Sequence, residues 1–99
     1  MLRISKKKEN DKITFTLDGN LDTSTSPDLE KELKDSLDGV KELIFDLETL
    51  KYISSSGLRL ILSAQKKMLN QGEMRIINVC EEVKDIFEIT GFSDIMNIE

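Results

Sequence analysis

Leu43-Ile44-Phe45-Asp46-Leu47, followed after the link Glu48 to Ile53 by Ser54-Ser55-Ser56-Gly57-Leu58, decides how this chain is read. The first run is apolar except for Asp46 and does not alternate, the pattern of a strand covered on both faces. Leu58, Ile61, Leu62 and Leu69, with Ala64 and Met68 beside them, then recur at helical spacing from Gly57 to Asn70, and Gln71-Gly72 is a stop signal. A strand that passes through hydroxyls into a helix places those hydroxyls where backbone N–H groups lack intrahelical partners and negative charge is favoured. A serine there can cap the helix, bind an anion or carry a phosphate.

Downstream, Met74, Ile76 and Ile77 read as a strand closing at Asn78-Val79. Val83, Ile86, Phe87 and Thr90 mark a further helix, ended by Gly91. Ile95 and Ile98 form a last short strand or pack under the sheet. Upstream, Leu2 and Ile4 suggest a first strand, and Lys6 to Lys12 a turn. Ile13, Phe15 and Leu17 alternate with Thr14, Thr16 and Asp18, so a second strand has one buried face and forms an antiparallel hairpin with the first, ended by Gly19-Asn20. Asp22 to Pro27 is a loop in which Ser26 suits the N-cap and Pro27 the first helical position. Asp28 and Glu30 favour the positive end of that helix, whose stripe Leu29, Leu33 and Leu37 faces the core before Asp38-Gly39 ends it. The order β-β-α-β-α-β-α, with or without a final β, implies an α/β fold. Its mixed sheet has four to five strands joined by right-handed crossovers, with helices packed on it. At 99 residues the chain reads as one domain spanning 1–99.

Composition removes several classes of function. The net charge of −5 argues against nucleic acid. Lys6-Lys7-Lys8, followed by Glu9 and Asp11, reads as a solvated hairpin tip. Without histidine there is no serine–histidine or cysteine–histidine machinery. Cys80 is alone, so no internal disulfide forms, and it reads as a small, partly buried hydrophobe. Met68 and Met74 read as packing residues. Gly57 stands alone in its turn rather than in a phosphate loop, and Asp46 is too little for a magnesium site. No acid/base pair stands out. The expectation is a non-enzyme without metal or cofactor. No apolar run approaches the ~20 residues of a membrane span. Met1 to Ser5 lacks a signal-peptide core, so a cytoplasmic protein without membrane contact is expected.

The segments Ile44-Phe45-Asp46-Leu47-Glu48 and Tyr52-Ile53-Ser54-Ser55-Ser56-Gly57-Leu58 together resemble the signature of the STAS domain, a family named for sulfate transporters and anti-sigma factor antagonists. Gly19-Asn20-Leu21-Asp22 is similar to the family's Gly-x-Leu/Ile-Asp segment, Thr90-Gly91-Phe92 to its late Thr-Gly-Leu-like turn, and the element order is the family's. The resemblance implies a monomeric anti-sigma factor antagonist. Ser56 would be phosphorylated by a partner kinase that is itself the anti-sigma factor, with Ser55 as second choice. The unphosphorylated form would bind that partner and free a sigma factor to regulate transcription, and a serine phosphatase would reset the switch. The implied binding face is Asp22, Thr23 and Ser24, the turn of Ser54, Ser55 and Gly57, and the exposed helix side with Arg59 and Ser63. Gly57 is expected to let a partner's backbone approach. Asp22 reads either as a turn residue or as an acidic rim. Asp46 reads as a tie at the strand end or as a wall of a shallow site beside Ser56. The chain departs from the family at Ser54, where Asp is usual, although serine still caps. The same fold also serves as a docking subunit in stress-signalling or lipid-transport assemblies, without a phosphorylation switch.

Overall fold

Alternation along Lys12–Leu21 turns Ile13, Phe15 and Leu17 inward with no exposed surface, while Thr14, Thr16 and Asp18 stay half-exposed. The computed structural model describes residues 1–99 and runs β1 (Leu2–Glu9), β2 (Lys12–Leu21), α1 (Ser26–Ser36), β3 (Glu42–Ile53), α2 (Ser55–Leu69), β4 (Glu73–Ile77) and α3 (Glu81–Ile89), followed by a short 3-10 turn, Phe92–Asp94. The sheet has four strands in the order β1-β2-β3-β4. The β1/β2 hairpin is antiparallel; β2/β3 and β3/β4 are parallel. Parallel neighbours need a crossover, and α1 and α2 supply them.

The inward residues of β2, β3 and β4 and the apolar stripes of all three helices join one core of 22 residues. Ile44 is buried but lies outside it. In register it sits between Thr14 and Arg75, and Arg75 reaches Glu42 at 3.1 Å and Glu99 at 2.9 Å. The non-alternating run Leu43–Leu47 therefore has one face in the helix-covered core and the other among polar and charged neighbours, rather than two helix-covered faces. Phe15 and Phe45, paired in register, stack at the centre with ring centroids 5.9 Å apart and an interplanar angle of 26°.

The structure corrects the sequence reading at several elements. The expected link Glu48–Ile53 is strand: β3 runs on beside β2, pairing Leu50 with Gly19 and Ile53 with Leu21 across two register shifts. Those shifts bring Leu50 and Ile53 both into the core, which breaks the alternation that marks a strand. The expected turn Lys6–Lys12 shrinks to Asn10-Asp11, with Asn10 at φ 56°. The three lysines thus lie on the edge strand, where charge discourages pairing with another chain. Lys6 also bonds Glu32 at 3.0 Å and Ser36 at 3.1 Å. The buried face of α2 is Gly57, Leu58, Ile61, Ala64 and Met68, whereas Leu69 is 70% exposed. The final strand is a single bridge, Ile76 to Ile98, and Met96 rather than Ile95 enters the core.

Phe45→Ala should lower unfolding stability by about 3–5 kcal/mol, because the vacated space is enclosed by strands and helices that cannot collapse into it. Urea denaturation followed by circular dichroism checks this. A loss below about 1 kcal/mol would mean that the centre of the core is not packed as described.

Candidate functional site

The ends of β2 and β3 are tied together: the Ser54 N–H donates to the Leu21 carbonyl at 2.8 Å. The loop before α1 and the turn before α2 therefore emerge side by side. In that turn the three serines differ in what they do. Ser54 has an extended backbone (φ −91°, ψ 174°) and is the N-cap of α2. Its Oγ accepts from the Gly57 N–H at 3.3 Å and its carbonyl accepts from the Leu58 N–H at 2.9 Å. Ser55, the first helical residue, is exposed. Ser56, the second, is half-buried, with its Oγ 3.3 Å from Thr23 Oγ1 in the neighbouring loop.

Asp22 builds that loop. Its Oδ1 accepts from the Ser24 N–H at 3.0 Å, the Ser24 hydroxyl at 2.8 Å and the Thr25 N–H at 3.1 Å. The Ser24 hydroxyl above all, and then the Thr25 amide, hold this carboxyl below the usual aspartate range. Of its two expected readings, the turn role is visible in these bonds. They also relocate the helix start. Ser26, expected as the N-cap, is already helical, and its hydroxyl donates to the Asp22 carbonyl at 2.6 Å. Thr25 takes the cap position without a capping bond, because its Oγ1 accepts from the Asp22 N–H at 2.9 Å and sits 2.9 Å from the Asn20 carbonyl.

Gly57 has a different purpose from the one expected of it. It is buried, and a Cβ there would come within 2.7 Å of Leu21 Cγ and 2.9 Å of Ile53 Cγ1. The missing side chain lets α2 close against β2 and β3, and the residue faces away from any partner. Asp46 accepts from the Glu48 N–H and from Asn78 Nδ2, each at 3.2 Å, and so ties the middle of β3, where its pairing with β4 stops, to the segment after β4. It does not line the surface beside Ser56.

That surface is a shallow depression between the starts of α1 and α2, lined by Thr23, Ser26, Glu30, Ser56, Arg59 and Leu60 with Pro27. Thr23, Ser56 and Arg59 thus converge. Ser24 lies exposed in the adjoining loop, and Ser63 lines a groove that continues from Glu30 and Leu60 along the two helices. Sequence reasoning missed Glu30 and Leu60 as site residues, because only the packing of α1 on α2 brings them there. Tyr52, an aromatic 49% exposed near the end of β3, does not line the depression.

The STAS domain family model matches residues 3–99. An anti-sigma-B factor antagonist of Staphylococcus aureus is 35% identical over 82 residues, which covers 81% of this chain and 76% of that protein. An anti-sigma factor antagonist from Mycobacterium paratuberculosis superposes with a TM-score of 0.89 at 16% identity, covering 99% of this chain and 85% of that one. The Bacillus cell fate determinant SpoIIAA in its phosphorylated form superposes with a TM-score of 0.75 at 18% identity, covering 100% of this chain and 91% of that one. Superpositions at such identity speak to the fold. No helix is long and apolar enough to cross a membrane.

Two outcomes follow from the geometry. Gly57→Ala should destabilise by about 1–3 kcal/mol through overpacking, even though alanine favours helix more than glycine does. A neutral or stabilising result in chemical denaturation would contradict the close approach of α2. Asp22 has a lowered folded pKa, so its carboxylate stabilises the fold above the ordinary value of about 3.9, and that contribution is lost as pH falls toward the lowered value. The gap in melting temperature between the wild type and Asp22→Asn should narrow from pH 7 to pH 3; a constant gap would count against the carboxylate's role.

Proposed function

The chain belongs to the STAS domain family, and from that premise we propose that it is an anti-sigma factor antagonist whose hold on its partner is switched by phosphorylation of Ser56. In its unphosphorylated form it binds an anti-sigma factor that is also a serine kinase, and so releases a sigma factor. A serine phosphatase restores it. The work is cytoplasmic and done as a monomer, and the chain has no catalytic activity of its own.

One observation carries this reading. Ser56 places a hydroxyl at the second residue of α2, on the surface seam with Thr23, while its neighbours are committed elsewhere: Ser54 to the cap and Gly57 to the core. Ser55, exposed where Ser56 is half-buried, is the second choice.

The energetics run in opposite directions on the two sides of that hydroxyl. A phosphoserine brings a charge of about −1.5 to −2. Toward its own domain the phosphate meets the positive end of α2, whose first turn holds no acidic residue, and a gain of about 0.3–1 kcal/mol is typical there. Toward a docked partner the same group is desolvated or faces acidic side chains, at a cost of several kcal/mol. The fold survives and the complex does not. The partner face is the Asp22–Ser26 loop, the serine turn, and Tyr52, Arg59 and Ser63.

Incubation with the cognate anti-sigma kinase and ATP should add the mass of one phosphate, and Ser56→Ala should abolish the gain. Ser56→Asp should weaken partner binding by roughly 10–100-fold, about 1.4–3 kcal/mol, and shift the melting temperature by no more than about 4–8 °C. Partner binding with no mass gain would instead identify a docking subunit without a switch. Unfolding of Ser56→Asp would make the hydroxyl structural.

A further inference from the structure

We propose that Arg59 is the residue that holds the phosphate in place once Ser56 carries one, so that the switched form is maintained by an ion pair within the domain. This inference rests on Ser56 being the modified hydroxyl.

Arg59 follows Ser56 by three positions on α2, so the two side chains are neighbours on one helix face, with Cβ atoms about 5–6 Å apart. Both line the same depression. Arg59 is exposed and engages no carboxylate or carbonyl, whereas Arg75 is spent on Glu42 and Glu99. It is also the one cation that lines the depression.

The other groups there set the balance of charge. Glu30 from α1 is the one anionic lining residue, and it opposes a phosphate. The Asp22 carboxylate belongs to the adjoining loop and is occupied by the amides and hydroxyl of Ser24 and Thr25. A guanidinium presents a planar fork that matches two phosphate oxygens, and the pairing is both charge-assisted and directional. Thr23 adds a hydroxyl. It now shares a hydrogen bond with Ser56 Oγ at 3.3 Å. Once that oxygen is esterified it has no proton to give, so Thr23 becomes the donor. The phosphate is then gripped from α2 by Arg59 and from the loop by Thr23, and a phosphatase has to open this grip. Arg59 thereby sets how long the switched state lasts.

The test uses the full chain with phosphoserine incorporated at position 56 during translation, which does not depend on a kinase. The second ionisation of a free phosphoserine lies near pH 6, and a nearby cation lowers it while a nearby anion raises it. In a phosphorus NMR titration Arg59→Gln should raise the midpoint by roughly 0.5–1 pH unit. Glu30→Gln should lower it, and Arg59→Lys, which keeps the charge without the fork, should fall between wild type and Arg59→Gln. A midpoint unmoved by Arg59→Gln would overturn the proposal. Both residues are exposed, and unchanged melting of the unphosphorylated variants separates the effect from a loss of fold. The two levels of the argument fail separately. A kinase that leaves Ser56 unmodified removes the switch but not the titration result, and an unmoved midpoint removes the role of Arg59 but not the switch.

Discussion

The parallel pairing of β2 with β3, carried to its last bond between the Ser54 N–H and the Leu21 carbonyl, is the constraint on which the rest of this structure depends. Parallel strands end at the same edge, so the loops that follow them are neighbours although about thirty residues separate them in sequence. The pairing reaches that edge only because two register shifts let β3 run beyond Leu47 without losing its hold on β2. Without them Leu50 and Ile53 could not both be buried, and α2 would start from a different height. The close seat of Gly57 on Leu21 and Ile53 then fixes that start, because a helix this near to two strands has little freedom to slide.

The loop before α1 is as constrained as the turn before α2, by other means. One carboxylate oxygen of Asp22 collects two amides and the Ser24 hydroxyl, so the loop is organised by a charge turned toward its own backbone. This has a consequence for Ser56. An acidic group directly before Thr23 would ordinarily repel a phosphate; here its negative charge is shared over its own donors. The arrangement lets an acidic residue sit near the proposed phosphate position, and it holds Thr23 within reach of Ser56.

Much of this was legible in the residues. The alternation of Ile13, Phe15 and Leu17, the leucine stripe at 29, 33 and 37, and the serines before a helical pattern each report a local period, and each lies where its period places it. What escaped was non-local. The extension of β3 was hidden because its bulges are set by pairing with β2, which no window of sequence contains. Leu69 looked like part of the buried stripe, but the direction of that face is decided by where α2 meets the sheet, and Met68 went inward instead. Of the residues that line the depression, Ser56 was expected from its place at a helix start. Glu30 and Leu60 were not, since their meeting with it depends on α1 packing against α2. Gly57 was noticed for the right property and given the wrong direction: absence of a side chain can serve a partner outside or a core inside, and only the coordinates distinguish them.

The chain's departure at Ser54 takes on a physical meaning in this setting. An aspartate at that position would also cap α2, but it would place a full negative charge on the same N–H groups and dipole end that a phosphate on Ser56 would use. Serine supplies the capping bond to Gly57 without the charge. The positive end of α2 then stays available, its first turn free of acidic groups, and Arg59 stands one turn further on the same face. A neutral cap and a nearby cation push in the same direction: both would make a phosphorylated Ser56 easier for the domain to hold. On the proposed reading, the balance between modified and unmodified forms would be tilted by residues beside the hydroxyl as well as by the enzymes acting on it.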